Sequence, residues 1–275
     1  MIPSAINTKT CLYGVLGDPV SHSLSPLMHN TAFEAIGYNG VYLAFGVKDL
    51  AGAVAGIRAL GVRGASVTIP HKVRIMDFLD EIDEQARAIG AVNTIVNRDG
   101  HLFGYNSDCL GAMQALRDVT AIKDKTVVIA GAGGAARAIG FGILAEGGKL
   151  AILNQIEDEG KALARDLGVH YYPLADHAVH PCDIFINATP VGMTPHVSDM
   201  PVTSGYLRPG MTVMDIVYNP LKTRLLTEAE AAGCRTVDGL AMFVYQGVSQ
   251  FESWTGEKAP VDLMRRVVYE ALVKA

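Results

Sequence analysis

Lys72 stands where an amine can do proton chemistry. It closes S-V-T-I-P-H-K (66–72), a β-type apolar run that Pro70 breaks two residues before the lysine. A lysine at the lip of a sheet can give a proton as an ammonium and take it back as an amine, help typically worth about 10²–10⁴-fold in rate. The plainer reading is a helix start on a solvated surface. A second group is Ser21, Ser23 and Ser25, three hydroxyls ahead of a helical pattern. Ser25 followed by Pro26 reads as an N-cap with proline at the first helical position. Capping explains Ser25 alone. Hydroxyls gathered at a helix N-terminus suit a small carboxylate, each such bond contributing roughly 1.5–3 kcal/mol when dry. A third group is Gly131-Ala132-Gly133-Gly134-Ala135-Ala136, which fits G-x-G-x-x-A directly after a strand. Gly131 permits the tight turn, Gly133 lets the backbone approach a pyrophosphate, and Ala136 lets helix and strand pack closely. Glycines also serve ordinary strand–helix turns, but the strand–turn–helix–strand setting favours a dinucleotide, its phosphates on the helix N-terminus.

The elements that must position these groups alternate. C-L-Y-G-V-L-G (11–17), V-Y-L-A-F-G-V (41–47) and G-A-S-V-T-I-P (64–70) read as strands. Between them lie helical patterns, one with Met28, Ala32, Phe33 and Ile36 on one face and one over 50–61. Such alternation implies a parallel sheet with right-handed crossovers and ligands beyond the strands' carboxyl ends. Gly17–Ser25 and Thr68–Lys72 then share one rim. N-T-I-V-N-R-D-G-H-L-F-G-Y-N-S-D (93–108) reads as a hairpin turning at Asp99-Gly100, which sets Asn93 near Asn106 and Asp108. A second sheet begins near Lys125, with strands in T-V-V-I-A, K-L-A-I-L-N-Q, D-I-F-I-N-A-T-P, M-T-V-M-D-I-V-Y-N-P and R-T-V-D-G. The C-terminal P-V-D-L-M-R-R-V-V-Y-E-A-L-V-K-A is an amphipathic helix, with Leu263, Val267 and Ala271 on its apolar face. At the end of the strand after the glycine turn, Asn154-Gln155 stands where an acid would bind the ribose of NAD. Glu157 and Asp158 follow, either capping the next helix or repelling the extra phosphate of NADP.

Bulk properties exclude several classes. A chain of 275 residues with 49% hydrophobic and 19% charged residues is globular and long enough for one to two domains. A net charge of −5 gives no basic footprint for nucleic acid. Cys11, Cys109, Cys182 and Cys234 are scattered, and the eight histidines show no ligand spacing, so no metal is expected. The start of the chain lacks the apolar core of a signal peptide, and no apolar run reaches membrane-spanning length. The expectation is a soluble cytoplasmic protein without membrane partners, monomer or homodimer.

Several motifs coincide in order: H-S-L-S-P (22–26), S-V-T-I-P-H-K (66–72), G-A-V-N-T (90–94), G-Y-N-S-D (104–108), G-A-G-G-A-A-R-A (131–138), N-A-T-P-V-G-M (187–193), D-I-V-Y-N-P (215–220) and D-G-L-A-M-F-V-Y-Q (238–246). Together they resemble the shikimate dehydrogenase family from near residue 11 to the C-terminal helix. The resemblance implies an α/β enzyme of two domains. A substrate domain with a parallel or mixed sheet would span 1–108 plus 243–275, and a Rossmann-like dinucleotide domain 109–242. It implies reversible hydride transfer between NADP(H) and the shikimate/3-dehydroshikimate pair, in the pathway to aromatic amino acids. Ser23 and Ser25 match the family's carboxylate serines. Thr68, Asn93, Asp108 and Gln246 match its ring-hydroxyl contacts, and Tyr218 a substrate-side position. Ile216 and Gly239 match positions beside the nicotinamide, Asn154 the adenosine end, and Gly131 to Ala135 the phosphate turn. Lys72 matches the catalytic lysine, with Asp108 to orient it. His22 and His71 read as neighbours of the site.

The chain departs from the family pattern at two places. Ser66 replaces the asparagine of N-V-T before the lysine, and Asn154-Gln155-Ile156 replaces the N-R-T of NADP-specific members. The second removes an arginine that would pair with the 2′-phosphate, so NAD stands as the alternative cofactor and quinate as the alternative substrate. A non-catalytic sensor on the same fold is a third reading, against which both Lys72 and Asp108 are retained.

Overall fold

The computed structural model describes residues 6–274. Strand–helix alternation opens the chain: β1 (Cys11–Gly17), α1 (Ser25–Ala35), β2 (Gly40–Gly46), α2 (Leu50–Ala59) and β3 (Gly64–Val67). β1 lies between β2 and β3, parallel to both, and is buried from Tyr13 to Gly17, as a central strand covered on both faces must be. Then come β4 (Glu81–Ile82), α3 (Glu84–Ile89), β5 (Thr94–Arg98) and β6 (His101–Tyr105). β5 runs antiparallel to β3 and forms the expected hairpin with β6, so the six-stranded sheet β2-β1-β3-β5-β6-β4 is mixed. At the hairpin tip Asp99 and Gly100 have φ of 52° and 92°, the pair of positive values that a type I′ turn needs.

α4 (Ser107–Arg117) leads to a strand–helix series: β7 (Thr126–Ala130), α5 (Gly134–Ala145), β8 (Lys149–Asn154), α6 (Glu157–Leu167), β9 (His170–Pro173), β10 (Ile184–Asn187), β11 (Thr212–Asp215), α7 (Arg224–Ala231) and β12 (Arg235–Val237). These strands form a parallel sheet in the order β12-β11-β10-β7-β8-β9. Strand order reverses at β7, whose neighbours are β8 and β10. This is the Rossmann-type topology, with its crevice at the ends of β7 and β10. α8 (Gly239–Thr255) and α9 (Val261–Lys274) close the chain. One compact unit runs to Ser107 and resumes over Gln246–Ala271; the other comprises Asp108–Tyr245 and the residues from Leu272. Among the described residues no helix is long and apolar enough to cross a membrane.

Some local expectations are corrected. β3 stops at Val67, three residues short of Pro70. Val67 and Thr68 still donate to Asn93 O (2.8 Å) and Leu16 O (2.9 Å), but His71 N then turns back to Thr68 O (2.9 Å) and Pro70 has no N–H to extend the ladder. Lys72 therefore sits in a turn, ahead of a 3₁₀ helix at Arg74–Phe78, and does not begin a helix. Ser25 is not the N-cap of α1. Leu24 is, and the Ser25 N–H is taken by Ser23 Oγ (3.3 Å). On α9 the buried ridge is Met264 and Val268, with Leu263, Val267 and Ala271 half-buried beside it.

Candidate active site

In the first unit the carboxyl ends of β1 and β3 are level, Leu16 opposite Val67. Gly17 and Thr68 are in close approach there, since a Cβ on Gly17 would come within 2.4 Å of Thr68 Cγ2 and force it to shift. His71 is buried, its Nε2 2.8 Å from Val47 O, so its ring anchors the turn beside β2. The neighbouring Lys72 is half-buried, and its carbonyl accepts from Val92 N (2.8 Å). That bond ties the lysine's backbone to the residue before Asn93. Asn93 is buried, with its N–H on Tyr105 O (3.0 Å), its Nδ2 donating to Ser107 Oγ (3.0 Å) and its Oδ1 accepting from Ser107 N (2.8 Å). Thr68, Lys72 and Asn93 thus stand on adjoining backbone, through Val67 N on Asn93 O and Val92 N on Lys72 O.

Ser25 is buried and interacts with the phenol of Tyr42. Tyr42 in turn donates to Ser66 Oγ (2.6 Å), the serine that stands in for the family asparagine. Ser23 is half-buried and engaged with the Ser25 backbone. Gln246 is half-buried on α8, one turn before the buried Gln250. On the inner face of α1 lies His29, fully buried between Tyr42 (ring centroids 4.6 Å) and Trp254 (5.2 Å). Neither of its ring nitrogens has a hydrogen-bond partner among the described residues, and burial pushes its pKa down to about 3.

In the second unit the glycine turn lies at the switch point. Gly131 has φ +117°, and a Cβ there would come within 2.8 Å of Ala188 O, so only glycine fits. A Cβ on Gly133 would meet nothing within 4 Å, which leaves open space over the start of α5. Gly133 caps the helix in extended conformation, Gly134 and Ala135 form its first turn, and Ala136 is fully buried against the sheet. Ala132 is half-buried in the turn itself. This cradle fits a bound dinucleotide's phosphates. Gly239 and Ile216 come together: a Cβ on Gly239 would lie 2.6 Å from Ile216 O and Val217 O. Tyr218 stacks on Phe243 (4.6 Å), and burial pushes its phenol up to about 12. Asp108 is buried in the first turn of α4.

Asn154 is buried at the end of β8, its Nδ2 on Ile156 O (2.8 Å). Ile156 is the N-cap of α6 and offers no side-chain cap, while Gln155 and Glu157, Asp158 and Glu159 are exposed. The carboxylates complement the helix dipole without capping it. Glu157 is also paired with Lys161, which holds its carboxyl below the usual range.

Sequence reasoning missed two buried assemblies. One joins the N-A-T-P and D-I-V-Y-N-P segments: Asp215 accepts from Asn187 Nδ2 (2.9 Å), Val217 N (3.0 Å) and Thr223 Oγ1 (2.7 Å). Burial raises its pKa to about 6 against the pull of those donors. A carboxylate ending an apolar strand was the signal for it. The other is Gln250, whose partners lie 156 residues or more away in the chain.

Residues 15–95 match the shikimate dehydrogenase substrate binding domain, and residues 239–269 the shikimate 5′-dehydrogenase C-terminal domain. The shikimate dehydrogenase (NADP(+)) of Geobacillus kaustophilus is 46% identical over 271 residues, 95% of this chain and 98% of the relative. A crystal structure of a shikimate dehydrogenase in complex with NADP+ superposes with a TM-score of 0.94 at 43% identity, covering 99% of both chains. The Listeria monocytogenes shikimate 5-dehydrogenase, in complex with shikimate and NAD, gives 0.89 at 39% identity, covering 97% of this chain and 99% of that one.

Proposed function

Because the chain belongs to the shikimate dehydrogenase family, we propose that it interconverts 3-dehydroshikimate and shikimate with NADP(H), in the cytoplasm, on the way to aromatic amino acids. The observation that carries this reading is the junction of Thr68, Lys72 and Asn93 at one sheet rim, with Lys72 O bonded to Val92 N. Proton donor and hydroxyl-reading side chains are therefore held on shared backbone. The first unit takes the ring acid and the second the dinucleotide. A bound nicotinamide supplies the hydride to the ketone carbon, or takes it back in the oxidation.

The remaining roles belong to the chain itself. Ser23 and Ser25 hold the ring carboxylate by hydroxyl hydrogen bonds. Thr68, Asn93, Asp108 and Gln246 bind the ring hydroxyls, and Tyr218 packs on the substrate side. Lys72 gives its proton to the carbonyl oxygen as the ketone becomes an alcohol, and removes it in reverse. Gly131 to Ala135 cradle the pyrophosphate, Ile216 and Gly239 flank the nicotinamide, and Asn154 stands at the adenosine. The test is a matrix of initial rates, shikimate or quinate against NADP⁺ or NAD⁺. The highest kcat/KM is expected with shikimate and NADP⁺. Turnover in no combination, from folded protein, refutes the reading, and a preference for quinate with NAD⁺ replaces it with the second one.

A further inference from the structure

Gln250 makes three hydrogen bonds from a position 1% exposed. Its Nε2 donates to Asn93 O (3.2 Å) and Thr94 Oγ1 (3.0 Å), and its Oε1 accepts from Ser66 Oγ (2.7 Å). One of these partners fixes all the others. Asn93 O is a backbone carbonyl and can only accept, so the NH₂ end of Gln250 must face it. The oxygen end must then face Ser66, which must donate. Ser66 Oγ is left to accept, and Tyr42 Oη donates to it at 2.6 Å. On the other side Thr94 Oγ1 accepts from Gln250 and passes its own proton to Asn93 Oδ1 (2.7 Å). The Ser107 N–H (2.8 Å) points to the same oxygen, so the Nδ2 end of Asn93 is the donor end. Every bond runs one way, Tyr42→Ser66→Gln250→Thr94→Asn93, and such aligned chains polarise cooperatively.

From this we infer that Gln250 is a positioning residue, acting through Thr94 and the Asn93 carbonyl to hold the Asn93 amide, whose donor end the Ser107 N–H sets, in place against the ring hydroxyls. The inference rests on the proposed role of Asn93. It also accounts for Ser66. A serine there cannot reach across the sheet as an asparagine does, and a helix-borne amide supplies the missing reach. Ser66 and Thr94 are directly opposed in the β3–β5 register, so an asparagine at 66 would bring its own amide to Thr94.

The test compares the native enzyme with Gln250→Met, which keeps length and removes both donors, and with Ser66→Asn/Gln250→Ala, which returns an amide from the strand. Steady-state constants are measured for shikimate and for the dinucleotide, with thermal midpoints alongside. For Gln250→Met, kcat/KM for shikimate is expected to fall roughly 10- to 100-fold, the scale of a sub-ångström to 1 Å misplacement. The dinucleotide KM should stay within twofold, and the double variant should recover most of the loss. Kinetic constants near native in Gln250→Met, or in Ser66→Ala should the methionine variant not fold, overturn the inference even if the midpoint drops. So does a double variant no better than Gln250→Ala. A native enzyme inactive on shikimate is a different result: it removes the functional reading, and the inference with it.

Discussion

Replacing His29 by phenylalanine tests how a buried imidazole without partners burdens the fold. In the unfolded chain this histidine takes a proton near pH 6.5; in the folded state burial holds its pKa at about 3. Between those values the unfolded state binds the extra proton. Stability therefore rises with pH across this window, is fully present above about 6.5, and is lost progressively as pH falls toward 3. The slope from one such group approaches about 1.4 kcal/mol per pH unit, so lowering the pH from 6.5 to 5 costs on the order of 2 kcal/mol. Tyr42, stacked on the ring, is shifted upward out of this range and adds nothing to the slope. The chain's single tryptophan, Trp254, lies 5.2 Å from the imidazole and reports unfolding of this unit. Urea titrations followed by its fluorescence, at pH 7 and pH 5, give the difference directly. His29→Phe should lose less stability than the native protein over that interval, by about 2 kcal/mol. Any overpacking by the larger ring shifts both pH values alike and leaves the difference intact. Equal losses in the two proteins refute the reasoning, because the imidazole then titrates in the fold as it does outside it.

Three further outcomes are expected. Lys72→Ala should lower kcat by about 10²–10⁴-fold with a smaller change in KM; turnover near native in steady-state assays removes the lysine from the proton transfer. Gln155→Arg should raise the NADP⁺/NAD⁺ ratio of kcat/KM roughly ten- to hundredfold, the size of one charge-assisted hydrogen bond to the 2′-phosphate. An unmoved ratio means that this side chain does not reach the ribose. Gly131→Ala should weaken dinucleotide binding at least about tenfold in titration calorimetry, since the turn would take on 1–3 kcal/mol of strain; shikimate binding to the other unit serves as the control, and unchanged dinucleotide affinity contradicts the cradle.

What could be read from the chain followed the range of the interactions. Asp99-Gly100 announces its turn because the constraint lies in two adjacent φ values, and in the glycine turn it lies in Gly131 alone. The alternation of strands and helices up to Val67 was legible from apolar periodicity. The end of β3 was not, because Thr68 and Ile69 look as strand-like as Val67 and only the pairing partner decides where the ladder stops. Ser25 looked like a cap because Ser-Pro is a local signal, whereas its burial near Tyr42 depends on how α1 packs on the next strand, β2. β4 and β9 are too short to carry periodicity. Gln250 was invisible for the strongest reason: a glutamine on a helix looks solvated until a strand 184 residues earlier supplies its partner.

That separation has a consequence for synthesis. The first unit needs Gln246–Ala271 for completion, and this segment leaves the ribosome only after the whole of Asp108–Tyr245. At roughly 5–20 residues per second the early sheet waits on the order of ten seconds for α8. During that interval Tyr13, Phe33 and Tyr42 lack the cover of Phe251 and Trp254. A nascent chain at this stage exposes an aromatic surface of the kind that chaperones bind.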